Sequence, residues 1–333
     1  MTTVRNKSAD GLKYLLIVLV IFGHFVEPSR YNNEIVCRIY SVIYSFHMPL
    51  FVLLSGYFFK SRTIKEELLK CLPLLEACLI SHAAFVLIRD HSLSLLEMLK
   101  FGSTPTWYFI SLILWRLSFS LLIKKASAKK ILVLSIVTAI VSFIFLNRNY
   151  GVLSLMRTLQ YYPYFVTGYL LKEQSGRIDL KKYKRYIFPL GLIATIVIIH
   201  TSCRLQHVTF FQSESVQTLA ALAGRNCLYT FFYRYLMVVC GIFTSASVYI
   251  LFADSQWIQR FAKFGQGTLF IYFGQNILFP LANKYFSALV PSLIAVVVAV
   301  CGLTLLSLKP ISKWMMNPLN TLFKKILRSE KAR

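Results

Sequence analysis

The chain reads as an all-α, polytopic membrane helix bundle of about ten transmembrane helices with both termini cytoplasmic. Three observations carry that reading. The 333 residues are 56% apolar, with a mean hydropathy of +0.60. The apolar residues gather into nearly uncharged runs close to the ~20 residues that cross a hydrocarbon core. Lys and Arg are dense in every second connection and sparse in the others, the pattern of positive-inside topology.

The predicted spans are 11–28, 35–59, 68–88, 105–123, 131–147, 152–171, 186–202, 228–252, 262–282 and 287–308. The amino tail, the 60–67 loop, the Lys124–Lys130 stretch, the Lys172–Arg185 loop, Arg260 with Lys263, and the tail after Lys309 form the basic side. The opposite connections hold roughly one basic residue each. The net charge of +24 is therefore spread along one membrane face, and a nucleic-acid partner is not expected. No small-residue cleavage site follows the first run, so no cleavable signal peptide is evident. One transmembrane domain is expected over 1–310, followed by a basic cytoplasmic tail, 311–333, suited to anionic lipid.

The first span holds the leading candidates. His24 sits near the outer end of an apolar run, where a titratable side chain needs a reason to be present. Lys13 lies eleven residues earlier, about three turns plus 20°, so the two share a face about 16 Å apart along the axis. Asp10, one turn before Lys13, fits either a helix N-cap or a site role. Gly23 allows a close approach beside His24.

The second span carries SFHMPLFVLLSGYFF, Ser45 to Phe59. His47 lies near its middle, and Pro49 removes a helical hydrogen bond beside it. The third span holds Glu76, a carboxylate expected to be deep, together with Pro73 and His82. Its expected partners are Arg38, Arg116, Arg157 or Arg234, four cations read as buried. The fourth span opens with Pro105, Trp107 and Tyr108, which suit an interfacial aromatic belt or a sugar-stacking platform equally. The sixth span repeats the second faintly: Pro49 to Gly56-Tyr57 and Pro163 to Gly168-Tyr169 run the same way and close alike. The outer segment, about 203–227, offers Ser213 or Ser215 as the cap of a short interfacial helix.

The seven cysteines have no metal-type spacing, and most read as buried packing residues. Cys203 and Cys227 flank one outer segment and would be the pair to form a disulfide. No metal site is expected, and neither a G-x-S-x-G elbow nor a glycine-rich phosphate loop occurs.

These residues resemble the acyltransferase-3 family of membrane O-acyltransferases, in the style of its fucose-acetyltransferase-like branch. Lys13 to His24, flanked by Asp10 and by Val20-Ile-Phe-Gly, is similar to the family's first-helix motif. Phe46-His-Met-Pro-Leu-Phe followed by Ser55-Gly-Tyr is the most specific string. Pro105-x-Trp107-Tyr, Tyr162-Pro-Tyr-Phe-x-x-Gly168-Tyr, Phe264-Gly-x-x-Thr268-Leu-x-Ile-Tyr272 and Lys70-x-x-Pro73 support it. The ninth span departs from the family: Gln275 stands where histidine is common.

The resemblance implies transfer of an acyl group, usually acetyl from acetyl-CoA, to a hydroxyl of a cell-surface polysaccharide or its lipid-linked precursor, in the bacterial inner membrane. Acyl-CoA is then a donor substrate, with no bound cofactor. His24, Asp10 and His47 become the catalytic candidates. Lys13, Arg62 and Lys70 become the acyl-CoA candidates. Glu76, Trp107, Tyr108, Arg157 and Gln275 would line the acceptor cavity. Membrane lipid, polysaccharide assembly machinery and a second copy of the chain are the remaining expected partners. A transporter or flippase for a glycan or anionic substrate is the alternative from the residues alone, and a non-catalytic partner in polysaccharide export a third.

Overall fold

A computed structural model describes residues 6–91, 94–101, 104–146, 152–174, 180–202, 215–285 and 288–308. Its helices are α1 (Lys7–Val26), α2 (Glu34–Tyr57), α3 (Ile64–Asp90), α4 (Leu95–Leu99), α5 (Trp107–Leu122), α6 (Ala128–Phe145), α7 (Leu155–Glu173), α8 (Lys184–Ser202), α9 (Val216–Ala223), α10 (Cys227–Phe252), α11 (Gln256–Gln259), α12 (Ala262–Gly265), α13 (Thr268–Tyr285) and α14 (Leu289–Ser307). Short 3₁₀ turns lie at Glu27–Tyr31, Val152–Ser154 and Leu180–Tyr183, and no strand occurs among the described residues. Each predicted span coincides with one long helix.

Local chemistry sets the helix starts. Asn6, Asn33, Ser127 and Asn226 each accept a hydrogen bond from a first-turn backbone N–H. Thr63 and Glu66 form a reciprocal capping box. That box starts α3 four residues before the hydropathy window does, because the first turn is charged. Asn6 also corrects one expectation: Asp10 is not the N-cap of α1 but lies one turn inside it. Ser215 caps α9 at Thr218 N, 3.2 Å, and Gly224, with φ 59°, ends that helix in the left-handed region.

Seven helices are long and apolar enough to cross a membrane, α1, α2, α3, α6, α8, α10 and α14. The other three long helices are shorter or more polar. α5 and α13 are apolar but short, and α7 carries Arg157, Gln160 and four tyrosines. All three pack among other helices, where polar groups can find protein partners rather than lipid. The outward faces are apolar instead. Leu134, Val137 and Val141 on α6 are exposed at helical spacing, as are Phe232, Leu236 and Val239 on α10 and Val290, Ile294 and Val297 on α14.

α2 and α7 cross at glycine. A Cβ on Gly56 would run into the Phe165 carbonyl, and one on Gly168 into the Leu53 carbonyl. The two Gly-Tyr echoes of the sequence are thus the two halves of one small-residue helix crossing. The interior around it is aromatic: Trp115, Phe119, Phe165 and Tyr40 have no exposed surface.

Candidate functional site

α1 is unbroken from Lys7 to Val26, so Lys13 and His24 keep the shared face that their spacing predicts. At the basic rim the Lys13 ammonium lies 3.7 Å from Asp10 Oδ1 and 4.3 Å from the centre of the Phe58 ring. Asp10 is buried because Gly11 and Gly265 let α1 press directly on the 256–265 segment. Next to Phe58, Lys172 donates to the Phe59 carbonyl, 2.8 Å, within electrostatic reach of Lys60 and Arg62. Arg62 is 3.6 Å from Glu67 Oε2, and Arg116 donates to the other oxygen of that carboxylate. One membrane rim thereby holds a compact set of cations, of which several are fixed by protein contacts.

Three turns further along α1, His24 sits half-buried among aromatic and polar side chains. Its ring sits 5.1 Å from Phe279 of α13, and His47 and Arg157 are within electrostatic reach. Gly23 makes room for this: an added Cβ would stand 2.7 Å from Tyr44 Cε2. Tyr44 stacks on Tyr40 at 3.8 Å and meets the edge of His47 at 4.7 Å. His47 is buried, and its Nδ1 lies 2.7 Å from the Ile43 carbonyl. A carbonyl can only accept, so in the neutral ring Nδ1 carries the proton and Nε2 keeps its lone pair. His24 has no hydrogen-bond partner among the described residues, so its tautomer is not fixed in the same way.

The surroundings of the two histidines are aromatic and cationic. The Arg157 guanidinium lies 5.1 Å from the Trp107 ring, which lies 5.2 Å from Tyr161. Tyr108 shares a 2.6 Å hydrogen bond with Ser55 and faces Tyr272 at 6.1 Å. The Tyr272 hydroxyl donates to the Pro105 carbonyl. Gln275, one turn from Phe279, is 0% exposed, yet neither side-chain amide atom has a hydrogen-bond partner among the described residues. A buried amide left so costs about 1–3 kcal/mol.

The structure therefore brings His24, His47, Arg157, Trp107 and Tyr108 into one connected neighbourhood, with Gln275 on the helix that meets His24. It places Asp10, Lys13 and Arg62 at the rim. It does not gather the rest. Glu76 is exposed on α3, not deep, because the face of α3 that turns inward carries Cys78, Ser81 and His82 instead. The fully buried carboxylate is Glu67, at the rim in the first turn of α3, at 0% exposure. Lys70 is exposed as well. Arg38, expected to be buried, is exposed and pairs with Glu34 one turn away. Trp107 and Tyr108 are buried core residues rather than a belt. His82 is held by Thr104, Thr106 and the Glu97 carbonyl, a structural role. Cys203, Ser213 and the 311–333 tail lie outside the described residues.

Sequence reasoning missed Glu27, Arg30, Tyr40 and Tyr44. Glu27 and Arg30 lie 3.8 Å apart in the turn that follows α1, and both act electrostatically on Tyr40 and Tyr44. Arg157 reaches Glu27 and Tyr44 too. The signal was present as periodicity: Tyr40, Tyr44, His47, Phe51 and Ser55 recur every three or four residues, one continuous face of α2.

A bundle of long apolar helices with a basic rim and a histidine-arginine cluster is a helical membrane protein. Residues 6–308 match the family model of the acyltransferase-3 group, described as an acyltransferase domain. The chain belongs to that family, and is a membrane acyltransferase. It is similar to nodulation protein NolL of Sinorhizobium fredii (strain NBRC 101917 / NGR234), with 23% identity over 314 residues, covering 84% of this chain and 79% of that protein. No solved structure matches the chain.

Proposed function

We propose that the protein moves an acyl group, acetyl first among candidates, from cytoplasmic acyl-CoA to a hydroxyl of a surface polysaccharide or its lipid-linked precursor. The observation that carries this is the position of His24: half-buried within electrostatic reach of His47 and Arg157, on the same face of an unbroken helix as Lys13. The site would lie in a bacterial inner membrane.

Lys13 and the Lys60, Arg62 and Lys172 group offer point charges for CoA phosphates. The pantetheine arm then runs along α1 toward His24. The sugar hydroxyl attacks the thioester carbonyl as His24 takes its proton; the C–S bond breaks, and the thiolate leaves with a proton returned by the imidazolium. Arg157, within electrostatic reach of His24, would be the donor to the developing oxyanion, with Trp107 holding its guanidinium. His47, its Nδ1 committed to Ile43, lies close enough to His24 to shape its charge. Asp10 holds Lys13 in place at the rim. Gln275 offers both an amide donor and an acceptor to the acceptor sugar. Lys70 and Glu76, exposed on α3, are left without a role in this scheme.

The test is CoA release by purified protein given acetyl-CoA and a glycan acceptor. The wild type should release CoA only when the acceptor is present. His24→Ala should lose at least about a hundredfold of that rate, the usual scale of a positioned acid–base, while still inserting and purifying as a folded protein. Full activity in His24→Ala removes the histidine from the chemistry. Acceptor movement across vesicles with no CoA release would instead favour the transporter reading.

A further inference from the structure

The connection from α2 to α3 is short, and cations gather on it. Lys13 of α1 lies 4.3 Å from the centre of the Phe58 ring. Lys172 of α7 donates to the Phe59 carbonyl, 2.8 Å. Arg62 turns back on its own segment and donates to the Lys60 carbonyl, 3.2 Å. Lys60 and Arg62 both act on Lys172 as like charges. Like charges brought together repel, so the fold must hold them there.

Behind this group lies Glu67, in the first turn of α3 and fully buried. Arg116, from α5, donates to its Oε1. Its Oε2 is buried with no hydrogen-bond partner among the described residues, and Arg62 Nη1 stands 3.6 Å from it. With no exposed surface, Glu67 cannot itself meet a ligand. It acts only through the guanidinium groups beside it. Of the two, Arg62 is the one that acts on Lys172, and a quarter of its side chain is exposed. A brace that only fixed the register of α3 against α5 would leave anion affinity alone, and the experiment turns on that difference.

We propose that Glu67 is a positioning residue for the donor. Arg116 secures one oxygen of the carboxylate, and the other oxygen holds Arg62 beside Lys60 and Lys172. The three cations then meet the phosphates of CoA already assembled. An arginine held in advance loses less freedom when a phosphate arrives, and the difference appears as affinity. This inference rests on the donor reading above and adds a residue which that reading leaves out.

The experiment is calorimetric titration of the purified full chain with CoA, with no acceptor present. Charge counting alone predicts that Glu67→Gln tightens CoA binding, because a negative charge beside an anion site is deleted. Positioning predicts the opposite sign: affinity should fall about tenfold, the worth of one charge-assisted hydrogen bond. Arg62→Ala should lose a similar factor. Glu67→Gln should add nothing further in the Arg62→Ala background, since the carboxylate acts through that arginine. In turnover, KM for acetyl-CoA should rise in Glu67→Gln while kcat holds. Unchanged or tighter CoA binding in Glu67→Gln overturns the proposal. So does unchanged binding in Arg62→Ala, whose side chain leaves from a largely exposed connection, and which keeps the test open should the buried variant fail to accumulate. A wild type that binds no CoA sinks the donor reading and this inference with it; the other two outcomes sink the inference alone.

Discussion

Gly23 is defined by its neighbour. Its hydrogen lies where any larger residue would meet the Tyr44 ring, 2.7 Å from an added Cβ, and Tyr44 in turn supports the edge of His47. Gly23→Ala must push that ring, and an ångström of displacement at a reacting group can cost on the order of a hundredfold in rate. Acyl transfer by Gly23→Ala should therefore fall by at least about tenfold while the protein still accumulates in the membrane. Gly302→Ala, whose Cβ meets nothing within 4 Å, should leave the rate unchanged. Equal rates for the two variants would show that Tyr44 does not set the site. At this scale the sequence was uneven. His24, Lys13 and Gly23 stood out because a titratable or small residue in an apolar run has few reasons to be there. Glu76 misled for the same cause: composition shows a carboxylate in the run, but not which way α3 turns it. Glu67 stayed hidden in a charged first turn, although Arg62 and Arg116 close on it from two other segments.

α2 is an element with two working faces. Tyr40, Tyr44, His47, Phe51 and Ser55 form the face turned toward the histidines and Tyr108, while Ser45, Pro49, Leu53 and Tyr57 line a groove between α1, α2, α6, α7 and α10. Pro49 and Pro163 both border that groove, so each proline-containing helix loses backbone hydrogen bonding beside a cavity rather than beside lipid. The crossing that holds α2 to α7 fixes both faces of α2 at once. Gly168→Ala sets a Cβ against backbone atoms of α2 that cannot rotate away, and overpacking of this kind costs about 1–3 kcal/mol. Gly274→Ala meets only the Leu303 side chain, which can change rotamer. Thermal unfolding in detergent, followed by size-exclusion chromatography, should therefore rank Gly168→Ala clearly below Gly274→Ala. The reverse order would mean that the helices slide apart freely at Gly168. The seven long apolar helices were legible because lipid demands length and apolarity of each, and α5, α7 and α13 showed as weaker runs because they pack among other helices. The crossing was visible only as a repeated Gly-Tyr, because a spacing along one helix does not name its partner.

The whole molecule must be vectorial if the donor is cytosolic and the acceptor faces outward. Its charge asymmetry sets that direction. The rim that holds Lys13, Lys60, Arg62 and Lys172 continues into Lys124, Lys129 and Lys130 before and at the start of α6, all on the side where Lys and Arg collect. The opposite rim carries Glu27, Arg30 and Asn32, close to the His24 end of α1. Asn32 and Lys129 are both exposed, so each can report its side without disturbing the interior. In a cysteine-free background, a membrane-impermeant maleimide should label Asn32→Cys in intact cells. It should label Lys129→Cys only after the membrane is permeabilised. The opposite pattern would place the basic rim outside, away from cytosolic acyl-CoA, and the path from Lys13 to His24 would then run against the supply of donor. Labelling of both sites in intact cells would mean that the ten-helix topology itself is wrong, since α2, α3 and α5, each crossing once, put Asn32 and Lys129 on opposite sides.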